Sequence, residues 1–138
     1  MIRTLILSLL LFSFMANAQE EVAVKQSIQN LFVGMQKGDT ALVRSVFSKD
    51  ALLETIKQSK ETGAEIEKGN LMEFINSLAN IPADVNIEER ILSWDIRVDG
   101  PLATAWTEYT FFVNDEVSHC GVNAFQLLKK TKSGKSQK

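Results

Sequence analysis

After Pro82 the hydrophobic period of this chain changes from helical to two, and three long alternating segments follow at about 87–98, 102–113 and 116–129. The joints between them are short, Gly100-Pro101 and Asn114-Asp115, and the second suits a two-residue hairpin loop. Three long strands joined by tight turns can only form an antiparallel meander. What precedes them is helical, so the fold class is α+β with the helices on one sheet face.

The helical part is punctuated by its own residues. A first helix is predicted over 20–37, with Val24, Ile28, Leu31, Phe32 and Met35 at helical spacing, and Gly38 stops it. Asp39 caps a short second helix over 40–47 that buries Leu42, Val43 and Val46. Residues 50–56 read as a strand and 57–63 as a polar turn. Asn70 with Glu73 forms a capping-box pattern ahead of Leu71, Phe74, Ile75 and Leu78, and Pro82 closes that third helix.

The amino end has a different character. Arg3 precedes an apolar run of about ten residues from Leu5 to Phe14, then Ala16-Asn17-Ala18 and the acidic pair Glu20, Glu21. That is the order of a secretory leader, and the run falls short of the ~20 residues a spanning helix needs. Cleavage is expected after Ala18, leaving a periplasmic or secreted protein with no membrane attachment. No cysteine follows the run, which argues against a lipid anchor. The organisation expected is therefore a leader at 1–18, one domain at 19–130 and a frayed basic tail at 131–138.

Charge excludes one class of partner. The chain carries 15 Lys+Arg against 17 Asp+Glu; loss of residues 1–18 removes only Arg3 and takes the net charge from −2 to −3. A mildly acidic domain has no electrostatic footprint for nucleic acid. Cys120 is the sole cysteine, so no internal disulfide forms, and it reads as a small hydrophobe. One histidine without a His/Cys spacing supports no metal site, and no cofactor is implied.

Counting back from the two turns assigns sheet faces. One face carries Ser93, Asp95, Trp106, Glu108, Thr110, His119, Gly121, Asn123 and Phe125; the other carries Trp94, Ile96, Val98, Ala103, Ala105, Thr107, Tyr109, Cys120, Val122 and Ala124. A single slip or bulge exchanges these sets.

The order helix, Gly38-Asp39, helix, Asp50-Ala51, helix, three-strand meander resembles the nuclear transport factor 2-like superfamily, which includes steroid isomerases and polyketide cyclases of the SnoaL-like kind. The stretch Ser118-His119-Cys120-Gly121-Val122-Asn123-Ala124-Phe125-Gln126-Leu127 is similar to the penultimate strand of small exported members, some labelled lumazine-binding. The resemblance implies a cone-like fold: a curved antiparallel sheet wrapped around three N-terminal helices, with a pocket on its concave side. It also implies a homodimer through the outer sheet face. The steroid-isomerase pattern is mostly missing, since its tyrosine falls near Leu31, its base near Thr55 with Glu54 beside it, and its strand acid at Asn123. The family's usual last strand has no counterpart after Ser133-Gly134-Lys135. The segment 116–129 is then an edge open to strand addition.

On this reading the concave face would hold a small organic ligand against Asp95, Trp106, Glu108, His119, Asn123 and Phe125, an aromatic wall with polar groups around it. Glu108 and His119 are the candidates for catalysis, because a carboxylate beside an imidazole fixes its tautomer for acid–base work. The expectation is a small-molecule-binding domain. The alternatives are an enzyme acting on a small carbonyl or aromatic substrate, an accessory protein-interaction domain, and a purely structural polar network.

Overall fold

A computed structural model describes residues 2–130, with side chains for 18–130. The elements in order are α1 (Ile2–Lys37), α2 (Thr40–Val46), β1 (Leu53–Ser59), β2 (Gly63–Gly69), α3 (Leu71–Ala79), β3 (Ile87–Asp99), β4 (Leu102–Val113) and β5 (Glu116–Leu128). The expected tail at 131–138 lies outside the described residues. The expected leader falls almost wholly on side chains outside them, although the backbone of α1 begins at Ile2. Among the described residues no helix is long and apolar enough to cross a membrane.

The helix ends are set by the residues that sequence singles out. Gly38 takes a φ of +64°, its N–H donates to the Met35 carbonyl, and the Asp39 N–H donates to the Gly34 carbonyl at 2.8 Å. That pair of bonds is a Schellman motif, which needs a left-handed residue and so favours glycine. Asp39 Oδ1 then accepts from the Leu42 N–H at 2.9 Å, capping α2. Asn70 Oδ1 accepts from Met72 and Glu73 at 2.8 and 3.1 Å, capping α3. Each cap is worth about 1 kcal/mol.

The strands correct the expected architecture. They form two separate sheets, a two-stranded β1-β2 and a three-stranded β3-β4-β5, each antiparallel by its hairpins. β3 and β5 are both edges, so the larger sheet is open. It neither curls nor closes into a cone-like layer wrapped around the helices. The physical reason is local pairing. The segment read as a polar turn is the end of β1 and a tight bend, and 63–69 returns as β2, with Ile56 opposite Ile66 and Leu53 opposite Gly69. With those two strands hydrogen-bonded to each other, three remain, too few to enclose a helical layer.

The chain divides into two compact units. One comprises 28–89 and 111–118. Its interior is Ile28 and Leu31 from α1, Val43 from α2 with no exposed surface, and Ile75 and Leu78 from α3. The Phe47 and Phe74 rings meet edge-on at 6.3 Å. Gly34 is where α1 and α2 touch: a Cβ there would stand 2.8 Å from Val43 Cγ2 and 3.1 Å from the Val43 nitrogen. In the same unit, Asn114 and Asp115 take φ of +52° and +64°, the type I′ signature. The Asn114 N–H donates to the Asn86 carbonyl at 2.8 Å, and Asn114 Oδ1 accepts from the Asn86 N–H at 2.7 Å.

The other unit comprises the described parts of 1–27, 90–110 and 119–138. Its interior is the sheet face of Ala103, Ala105 and Thr107, all buried, with Trp94, Ile96 and Val98 half-buried beside them. Glu20 of α1 accepts from Lys129 Nζ at 2.5 Å beyond the end of β5.

Candidate functional site

The site lies in this second unit, and the strand register decides what it contains. Between β3 and β4 the register is as counted from the Gly100-Pro101 loop, since Ser93 Oγ donates to Glu108 Oε2 at 3.0 Å across the pair. Between β4 and β5 it is not. The tight turn starts with Val113 beside Glu116, yet the Lys129 N–H reaches the Pro101 carbonyl at 2.7 Å. β5 therefore holds one residue more than β4 over the same length, a β-bulge. Two observations agree. Gly121 sits directly under the Tyr109 ring, where a Cβ would stand 2.9 Å from its Oη. Burial along β5 then alternates with Gly121, Asn123, Phe125 and Leu127 half-buried and Val122, Ala124, Gln126 and Leu128 exposed.

The bulge redistributes the residues that sequence groups together. Asp95, Trp106 and Glu108 share the open face, where Trp106 is 51% exposed. Asp95 there accepts from Arg97 at 3.2 and 3.4 Å. That hydrogen bond and the carboxylate charge hold the guanidinium still more firmly protonated than usual. Asn123 and Phe125 lie in the half-buried row instead, with Thr107 and Ala105. His119 is exposed, and its ring stands edge-on to Tyr109 with centroids 5.9 Å apart. Tyr109 follows Glu108 along β4 and so points to the opposite face. His119 thus keeps company with Tyr109 and Gly121, while Glu108 holds Ser93. The buried face is the small-residue one, the reverse of the expected arrangement. The signal for this was Gly121, since a glycine inside a strand marks a bulge or a close approach.

A concavity among the described residues of this unit lies elsewhere. A groove of about 550 Å³ runs between α1 and β3, lined by Ala18, Glu21, Val22 and Lys25 on the helix and Trp94, Asp95 and Ile96 on the strand. The four helical residues have the i, i+3, i+4, i+7 spacing of one helix face. They lie beside the stripe of Val24, Ile28 and Leu31 that periodicity picks out. Lys25 Nζ stands over the Trp94 ring, 5.0 Å from its centroid, in cation–π contact. One wall is therefore aromatic and aliphatic, and the other carries one charge of each sign. In the sequence Trp94 falls on the face opposite the expected concave one and Glu21 reads only as part of the acidic pair after the leader, because the juxtaposition of Trp94 with Glu21 and Lys25 is tertiary. No group of three His, Cys, Asp or Glu among the described residues is placed to hold a metal ion.

Comparison with known proteins fixes the lineage. Residues 19–115 match the family described as "putative lumazine-binding". The chain belongs to that family. Its fold is that of the nuclear transport factor 2-like superfamily. A structure titled as a putative dehydratase of this superfamily from Streptomyces avermitilis aligns with a TM-score of 0.55 at 14% identity, covering 81% of this chain and 92% of that one. A second, an epoxide hydrolase of the LEH-like kind from M. tuberculosis, aligns at 0.46 and 16% identity over 75% and 73%. No curated protein matches the chain. The lumazine-binding-family match begins at Gln19, within the stretch of α1 that lines the groove.

Proposed function

We propose that this chain is a small-molecule-binding domain whose ligand lies in the groove between α1 and β3, flat against Trp94. The observation that carries this reading is the groove's composition: an indole wall with Val22 and Ile96 beside it, and Glu21 and Lys25 opposite to orient a polar edge. Binding sites for small ligands combine apolar walls with a few placed polar groups in this way. The family's description supports a small ligand with a flat body. Binding is favoured over acid–base catalysis because Glu108 bonds Ser93 while His119 packs on Tyr109 from the other face. Export rests on the leader pattern of residues 1–18, whose removal takes Ala18 from the groove and leaves Glu21, Val22, Lys25, Trp94, Asp95 and Ile96, and a second copy of the chain on the open sheet face is part of the same reading.

Native mass spectrometry of the protein from its own host tests the central claim. A ligand of a few hundred daltons should be retained by the wild type and lost from Trp94→Ala, with the Trp106→Ala control unaffected. Retention by Trp94→Ala would move the site away from the groove.

A further inference from the structure

The face of Trp94 already carries a cation, and that occupant indicates what the groove attracts. Lys25 Nζ lies 5.0 Å from the ring centroid, inside the ~6 Å range of cation–π attraction. Lys25 is itself exposed and sits on a flexible stem, so its ammonium can swing into water at little cost. Glu21, one helical turn earlier, lines the same groove. Once Lys25 has moved, the Glu21 carboxylate is the helix-borne charge left lining the groove, because the Asp95 carboxylate lies on the open face, paired with Arg97. Val22 and Ile96 supply aliphatic walls, which suit a weakly hydrated, alkylated cation better than a bare ammonium.

We infer that the groove takes an alkylated organic ammonium on a flat or apolar body, which replaces Lys25 on the face of Trp94 and pairs with Glu21. This rests on the groove being the binding site, and it names the class of ligand bound there. Lys25 is then a competitor held in place by the fold, and that gives the test its sign.

The full chain in a Trp106→Phe background leaves Trp94 as the sole tryptophan. It is titrated by fluorescence with benzyltrimethylammonium chloride and, separately, with naphthalene-2-carboxylate. Removal of a competing exposed cation–π contact should make Lys25→Ala bind the ammonium roughly two- to fivefold more tightly. Glu21→Gln should weaken it by a similar factor, since the carboxylate is its partner. Both side chains are exposed, so unchanged thermal midpoints should accompany both effects. Weaker ammonium binding in Lys25→Ala overturns the inference, because Lys25 would then be a ligand-holding residue. Binding of the carboxylate alone also overturns it while leaving the groove as the site. Failure of both probes to perturb Trp94 removes the groove reading with it.

Discussion

Thr107 is fully buried in the middle of β4, and its Oγ1 has no hydrogen-bond partner among the described residues. A buried hydroxyl left unpaired costs roughly 1–3 kcal/mol relative to an apolar group of the same shape. Thr107→Val should therefore raise the free energy of unfolding by about 1 kcal/mol in urea melts. A loss of stability would show that the hydroxyl is satisfied in solution. Gly121 carries the opposite sign. A methyl there meets the Tyr109 ring at 2.9–3.2 Å, and that ring is itself held against His119. Gly121→Ala should destabilise by about 1–2 kcal/mol through overpacking. Because the nearest atom is Oη, adding Tyr109→Phe should return part of that loss in a double-mutant cycle. Thr107 stands in the sequence as an ordinary strand position, and Gly121 marks a break in β5 without giving its register. Nothing local distinguishes a hydroxyl that points into a core from one that points into water, and the bulge that sets their faces is a property of two strands together.

At the scale of elements, legibility follows the range of the interaction. The stops and caps at Gly38, Asp39 and Asn70 are read from sequence because each acts on backbone groups two to five residues away. The three long strands are legible for the same reason, since alternation and turn chemistry are local. A strand over 50–56 is legible too, but its return as β2 is not, because Ile66 is a lone large hydrophobe among charges and only its pairing with Ile56 makes a strand of that segment. Gly34 is not legible in the sequence because its reason is Val43, on the next helix. Gly34→Ala should cost about 1–3 kcal/mol, as the contact includes the Val43 backbone nitrogen and cannot be relieved by a rotamer change. The I′ turn offers the reverse change. Asp115 holds a φ of +64°, where an L-residue pays roughly 1–2 kcal/mol and glycine pays almost nothing. Asp115→Gly should stabilise by about 0.5–1 kcal/mol, whereas Asn114→Gly should not, since it removes the acceptor of the Asn86 N–H. Paired thermal melts of the two variants separate turn strain from the clip.

For the molecule as a whole, the open face of the larger sheet sets the remaining expectation. Leu102, Trp106, Val122 and Leu128 are each 43–72% exposed, and the Asp95–Arg97 pair lies beside Trp106. An apolar patch rimmed by charges is the composition of an interaction surface. Its size decides how tightly a second copy would hold. About seven residues from each of three strands span roughly 23 by 14 Å, well short of the ~800 Å² per partner of a standard interface. A dimer formed on this face should therefore dissociate on dilution. Sedimentation equilibrium should show a monomer–dimer exchange, and the thermal midpoint should rise with protein concentration as mass action requires. Trp106→Glu places a second carboxylate beside Asp95 at the centre of the patch. Brought against its own copy, that face would repel itself, so the variant should sediment as a monomer with a midpoint independent of concentration. It should also keep any ligand held against Trp94, because the groove and the open face lie on opposite sides of β3. An unchanged association constant in Trp106→Glu would assign the contact to another surface, such as the outer edge of β5.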